Sequence, residues 1–263
     1  MIDQFFLFDV ITAFFIGGAA ISIAILIAEK FGTKIGALFL SLPITTTVSL
    51  FFIATTQGTD FLVDAVPHYI SGLVLFLLFI TIYIFSIKKT IFPMALSIIV
   101  WLIGSSLFFF FPQKNFFITG VILILIYLII NLHFRNSPNE TKDIKKIRHS
   151  KKLLALKFLT AGGTIAAALI VAQIGGPIAG GIMSAFPATT ISALYLLKKE
   201  HDLGFIKSIA KRMIYYEPSL LVYAFAVMTF YPTYGLVFGT LISWAITLTT
   251  ALGLYLMEDK VGL

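Results

Sequence analysis

The chain has 263 residues, of which 59% are hydrophobic and only 12% are charged, and its net charge is +7. Soluble domains carry roughly 25% charged residues, so this composition excludes a soluble domain and predicts an all-α integral membrane protein with the lipid bilayer as its solvent. The chain contains no cysteine, which excludes disulfides, thiolate metal sites and cysteine nucleophiles.

A helix needs about 20 apolar residues to cross the hydrocarbon core of a bilayer. Uncharged runs, taken in chain order, predict about nine spans: Val10–Ala28, Ile35–Ile53, Ala65–Ile87, Ile91–Phe111, Phe116–Leu132, Leu153–Ala172, Ile178–Leu197, Met213–Tyr231 and Tyr234–Met257. The fifth run is short and is compatible with a re-entrant or tilted segment. The first lacks a basic leader and a small-residue cleavage pattern, so it is interpreted as a retained helix.

The positive charges indicate the orientation of these spans. With nine spans, 18 of the 19 Lys and Arg residues fall on one side of the membrane, and only Lys114 falls on the other. Lys and Arg accumulate on the cytoplasmic side, so we expect a multi-pass protein of the inner or plasma membrane, with its N-terminus outside and its C-terminus in the cytoplasm. The basic surplus is then a topology signal, and no nucleic-acid partner is expected. A lipid-headgroup role for residues 133–152 is the alternative.

An internal repeat is visible at an offset of 144 residues. Residues 18–50 and 162–194 align without gaps and are identical at ten of 33 positions. The matches that are not generic apolar residues are Gly18/Gly162, Gly32/Gly176, Gly36/Gly180, Pro43/Pro187, Thr45/Thr189 and Thr46/Thr190. An odd number of spans separates the copies, which predicts two inverted four-helix repeats (1–112 and 153–263) joined by a span and a basic linker (113–152). Inverted repeats are common in secondary transporters, although channels and scaffolds are compatible with them.

The second copy also resembles a known family. The residues that carry the resemblance are Ile178-Ala179-Gly180, Phe186-Pro187, Tyr195, Gly204, Pro218, Tyr223, Phe238-Gly239 and Trp244. They are similar to the GlpM-like family of small four-helix inner-membrane proteins, over about 178–257 and more weakly over 18–87. The resemblance implies a fused, inverted pair of such units and a link to exopolysaccharide production, with no established substrate or catalytic residue.

The repeated proline motif is the predicted site. Pro43 is the ninth residue of a 19-residue span and Pro187 the tenth of a 20-residue span, so both lie near the midplane. A proline there frees backbone carbonyls, which are tolerated only inside protein or next to water. The predicted solute-binding residues are Ser41, Pro43, Thr45, Thr46, Ser184, Pro187, Thr189 and Thr190. The alternative is a structural kink in which the hydroxyls bond back to the helix.

Other residues have more peripheral predicted roles. Glu217 lies roughly 7 Å inside the cytoplasmic edge of its span and is the candidate for proton coupling; snorkelling, or pairing with Lys211 or Arg212, is the alternative. Glu29 and Gln173, which are repeat mates at span ends, are candidate gates, against the alternative of solvated ends. Close helix packing is predicted through Gly32, Gly36, Gly176 and Gly180.

No catalytic or cofactor motif accompanies these features. The four His residues, at positions 68, 133, 149 and 201, have no metal-ligand spacing, and no phosphate-binding, dinucleotide or nucleophile-elbow motif occurs. We therefore expect no enzyme, no metal and no cofactor. The leading hypothesis is a secondary transporter of a small polar solute or ion. An accessory or scaffold protein of an envelope polysaccharide or lipid pathway is the alternative, and an ion channel is third.

Overall fold

The computed structural model describes residues 4–87, 92–135, 151–200 and 202–261. This part of the chain forms nine α-helices and no strand. They are α1 (Gln4–Ser41), α2 (Ile44–Gln57), α3 (Thr59–Ser86), α4 (Phe92–Phe110), α5 (Phe116–Arg135), α6 (Lys151–Ser184), α7 (Ala188–Glu200), α8 (Leu203–Tyr216) and α9 (Pro218–Val261).

Two of the helices contain a reversal of the chain. Gly176 in α6 and Gly235 in α9 have φ of 71° and 74°, in the left-handed region that favours glycine. A Cβ built on Gly180 would lie 3.1 Å from Cα of Ala172, and one on Gly239 would lie 2.9 Å from Cα of Tyr231. Residues eight apart in a straight helix are separated by about 12 Å. The chain therefore folds back at both glycines, where the sequence predicted boundaries between spans.

Six helical stretches of the described residues are long and apolar enough to cross a membrane, which makes the chain a multi-pass membrane protein. They are Lys34–Gln57, Thr59–Ser86, Phe92–Phe110, Phe116–Phe134, Leu154–Ser184 and Leu203–Glu258. The last two contain the reversals, so the number of stretches is not the number of crossings, and nine spans stays a prediction. The 20 residues of α5 give about 30 Å, which is long enough for a full crossing.

α3 is the central helix of the fold. It contacts α2, α4, α5, α6, α8 and α9, and Tyr69, Leu77 and Tyr83 on it are fully buried. α4 and α5 instead present large exposed apolar side chains, as lipid-facing helices do: Ile103, Phe110, Phe117 and Ile129 are each more than half exposed. The apolar sequence therefore serves two different environments, a protein core around α3 and a lipid-facing periphery.

α1 and α6 cross through paired glycines and phenylalanines. A Cβ on Gly162 would lie 2.5 Å from the carbonyl oxygen of Phe14, and one on Gly18 would lie 2.9 Å from that of Phe158. The rings of Phe14 and Phe158 meet edge to face, with centroids 5.6 Å apart. Phe14 and Phe158, like Gly18 and Gly162, are 144 residues apart, so the same two residue types make both halves of the contact.

The same offset relates the beginnings of the helices. α2 and α3 begin at Ile44 and Thr59, and α7 and α8 begin at Ala188 and Leu203, each 144 residues after its counterpart. Helix bounds assigned by different criteria differ by one or two residues, and the agreement at these two successive starts is closer than that.

Candidate functional site

The predicted proline motifs lie where a helix is interrupted. α1 ends at Ser41 and α2 begins at Ile44, so Leu42 and Pro43 form the first break. α6 ends at Ser184 and α7 begins at Ala188, so residues 185–187 form the second. Each proline directly precedes a new helix, a position at which its missing N–H costs nothing.

The two breaks lie against one another. The hydroxyl of Thr46 donates a hydrogen bond of 3.3 Å to the carbonyl of Ser184, across 138 residues of sequence. A cavity of about 40 Å³ lies at this junction. Seven of the eight predicted binding residues line it: Ser41, Pro43, Thr45, Thr46, Pro187, Thr189 and Thr190. The eighth, Ser184, is not part of the lining, although its carbonyl accepts the hydrogen bond from Thr46.

Several backbone groups at the cavity have no backbone partner. The carbonyls of Leu40 and Ser41 receive no hydrogen bond from the described backbone beyond the first break, where Ile44 N–H bonds to Leu42 instead. They are the terminal carbonyls that every α-helix leaves unpaired. The hydroxyls of Ser41 and Ser184 donate back to Ala37 and Gly180, at 2.8 Å each, so the back-bonding alternative holds for the two serines.

A set of hydroxyl groups surrounds the same junction. Trp244 donates from Nε1 to the hydroxyl of Thr47 at 2.7 Å, and Thr240 donates to the phenol oxygen of Tyr231 at 2.7 Å. The phenol of Tyr69 lies near Thr46 and Glu217 and forms no hydrogen bond of regular geometry. Tyr69, Tyr231 and Trp244 form an aromatic layer at this junction. The sequence did not indicate it, since single Tyr and Trp residues scattered over α3 and α9 have no recognisable spacing.

Glu217 is buried next to this layer. It is 1% exposed, and its Oε1 has no hydrogen-bond partner within the described residues. Glu217 is connected to the cavity through Leu220. The N–H of Leu220 donates to the Glu217 carbonyl at 2.9 Å, and Leu220 lines the cavity. Glu217 does not snorkel to the interface, and Arg212 pairs with a different carboxylate. α8 ends at Tyr216 and α9 begins at Pro218, so Glu217 lies at the boundary between the two helices.

A buried polar cluster joins α8 to the end of α9. Nε of Arg212 contacts Oε1 of Glu258 at 2.5 Å, and the arginine also donates to the hydroxyl of Ser208. Tyr216 donates to Oε2 of the same glutamate. Arg212 is 6% exposed and Glu258 is fully buried. Glu258 directly follows the last predicted span, Tyr234–Met257, and its role as the partner of Arg212 was not predicted.

Gating by Glu29 and Gln173 stays a prediction. Gln173 accepts a hydrogen bond from Nε2 of Gln57, which ties the reversal in α6 to the end of α2. The side chain of Glu29, and the surroundings of the predicted packing residue Gly32, lie outside the described part of the structure.

The predicted packing glycines divide into two roles. Gly36 is buried, and Gly180 packs tightly, with a built Cβ 2.6 Å from that of Ala172, inside its own reversal. The prediction that Gly176 allows close helix packing is wrong, because a Cβ there would meet nothing within 4 Å. It is present because the reversal requires a positive φ, and helix packing does not explain it.

Comparison with known proteins gives one match. Residues 10–114 match the family described as "Protein of unknown function (DUF3147)". This segment contains most of α1 and all of α2, α3 and α4, and it ends in the loop before α5. No curated protein and no solved structure matches the chain. The comparisons lend no support to the GlpM-like resemblance. Within the described residues, no group of three or more His, Asp or Glu side chains is placed to hold a metal ion.

Proposed function

We propose that the chain is a secondary transporter whose central site lies between the two proline breaks. The observation that carries the proposal is that two interrupted helices from distant parts of the sequence line one cavity near Thr46 and Thr190. Interrupted helices at membrane depth present unpaired backbone groups, and transporters use such groups to bind ions and polar solutes.

The proposal includes two inverted four-helix halves related by a pseudo-two-fold axis in the membrane plane. Two helix starts at the 144-residue offset and the reciprocal contacts of Phe14 and Phe158 support it. The match to the family of unknown function stops at residue 114, close to the predicted end of the first half. The excess of Lys and Arg on one predicted side supports a cytoplasmic C-terminus.

The cavity favours a small cation in the conformation observed. A water molecule needs about 10–15 Å³ of such volume, so 40 Å³ holds about three waters or one desolvated ion and excludes a sugar. Among the described residues that line the cavity none is Lys, Arg or His, while Ser41 and four threonines carry hydroxyl oxygens. Oxygen ligands of this kind suit hard cations. Glu217, one helical turn from the lining residue Leu220, is the group proposed to couple transport to protons.

The test is flux through purified protein in proteoliposomes, with Na⁺, K⁺, Li⁺, amino acids and sugars offered with and without a pH gradient. A variant with Thr45, Thr46, Thr189 and Thr190 all changed to Val should lose flux, because Val keeps the shape of Thr and removes its oxygen. Changing Thr229 and Thr249 to Val is the matched control, since both are exposed and bond only to their own helix.

A scaffold protein would respond differently. It would carry no flux in any condition and would tolerate the four Val substitutions in its assembly with partners. Normal flux in the four-Val variant would refute the proposed site, and absence of flux from folded wild-type protein across the panel would refute the transporter.

A further inference from the structure

A second polar cleft lies near the predicted outer surface, apart from the cavity at the breaks. Its volume is about 370 Å³, within the range of about 300–1,000 Å³ that small-molecule sites occupy. It is lined by Asp64 and His68 of α3, Lys114 of the loop before α5, and apolar walls from Phe116, Ile178 and Met228. Neither sequence motif nor family match points to these residues as a site.

The charges in this cleft are arranged around a buried imidazole. Asp64 and His68 are one helical turn apart, so they share a face of α3. His68 is 3% exposed, and its Nδ1 has no hydrogen-bond partner within the described residues. Asp64 and Lys114 are exposed at the rim, and both act electrostatically on His68. Neither forms an ion pair in the described part of the chain.

The cleft and the inner cavity lie along the same two segments. On α3, Asp64 lines the cleft and Leu73 lines the cavity. On the second segment, Pro177 of α6 lines the cleft and Ala185, just after the end of α6, lines the cavity. Between them α3 and α6 are in close contact: a Cβ on Gly72 would lie 2.6 Å from that of Ala185, and one on Gly181 would lie 2.9 Å from that of His68. This packing separates the cleft from the cavity.

We propose that this cleft binds a small zwitterion of the amino-acid class. The ligand's carboxylate faces Lys114 and the imidazole of His68, its ammonium group faces Asp64, and its apolar body contacts Phe116, Ile178 and Met228. The assignment goes beyond the transport function proposed above and does not require the inner cavity to bind anything.

The charge pattern decides among ligand classes. A simple anion would meet the carboxylate of Asp64, and a simple cation would meet Lys114, so each is opposed by one rim charge. A metal ion has only one carboxylate and one imidazole available, and metal sites need three or four ligands. A molecule that carries both charges satisfies both rim groups, and the imidazole of His68, which lines the cleft, lies beside its carboxylate.

The test uses three probes that share one apolar body. L-leucine carries both charges, 3-methylbutylamine only the positive one and 4-methylpentanoate only the negative one. Binding to the full chain in lipid nanodiscs is measured at pH 7 by displacement of tritiated leucine. We expect leucine to bind at least tenfold more tightly than either analogue, because each charged contact is equivalent to about one factor of ten or more. Equal binding of an analogue, or no leucine binding up to 10 mM by folded protein, overturns the proposal.

Variants locate the site. Asp64→Asn and Lys114→Gln should each weaken leucine binding about tenfold, since each removes one charge partner. Asp60→Asn, one turn earlier on α3 and not part of the lining, is the matched control and should change nothing. Gel filtration and the thermal midpoint report whether each variant is folded. If folded Asp64→Asn and Lys114→Gln bind leucine like the control, the ligand is elsewhere and the assignment is wrong; flux through the inner cavity is unaffected by either outcome.

Discussion

Gly162 and Gly163 are neighbours on α6, and the same substitution should stabilise the protein at Gly163 but not at Gly162. A Cβ on Gly162 would lie 2.5 Å from the carbonyl oxygen of Phe14 and 2.9 Å from its ring, whereas one on Gly163 would meet nothing within 4 Å. Replacing Gly by Ala in a helix stabilises it by about 1 kcal/mol, and this gain is common to both sites. At Gly162 the backbone of α1 must retreat by several tenths of an ångström, and overpacking of this kind costs about 1–3 kcal/mol.

The difference between the two variants isolates the cost of the clash. We expect Gly163→Ala to be about 1 kcal/mol more stable than wild type and Gly162→Ala to lie about 1–3 kcal/mol below Gly163→Ala. The assay is reversible unfolding by SDS in mixed micelles, followed by the fluorescence of Trp101 and Trp244, the two tryptophans. Gly18→Ala, the counterpart across the crossing, should behave like Gly162→Ala. Equal stabilisation by Gly162→Ala and Gly163→Ala would refute the close approach of α1 and α6.

Three further predictions concern other parts of the molecule. Glu258→Gln should destabilise the fold by about 3–5 kcal/mol, because it leaves Arg212 charged and buried; the double variant with Arg212→Gln should recover part of this loss in the same SDS assay, and no loss in the single variant would contradict the ion pair. Glu217→Gln should keep solute flux and lose its dependence on a pH gradient, since Gln keeps the shape without the titration, and unchanged pH dependence would remove Glu217 from the coupling role. A single cysteine introduced at residue 140 should resist an impermeant maleimide added outside intact cells, and labelling there would reverse the proposed orientation.

Much of the helical layout could be predicted from the sequence because lipid imposes a simple rule of length and polarity. Runs without charge predicted helices at α3, α4 and α5 within a few residues, except that α3 begins six residues earlier, at Thr59. Gly175-Gly176-Pro177 predicted a linker, and the chain reverses there. The sequence could also place Pro43 and Pro187 at interruptions, since proline cannot donate to the preceding turn.

Features that depend on contacts between distant helices could not be predicted in this way. Arg212 and Glu258 are 46 residues apart, and only the packing of α8 against the end of α9 makes them partners. Asp64 and His68 match no site motif in the sequence, and Lys114 and Ile178, which line the same cleft, belong to other elements.

The central claim is that the cavity between the two breaks opens to water, and the most direct measurement is the reactivity of a single cysteine placed there. Thr189 lines the cavity and is half-buried, and the chain has no native cysteine. Thr189→Cys in oriented proteoliposomes should react with a small thiosulfonate added on either side, and the transported ion should slow the reaction. Val63→Cys, in the outer cleft, is the control and should react only from outside. If Val63→Cys reacts and Thr189→Cys does not react from either side, the breaks are structural kinks and the transport account is contradicted.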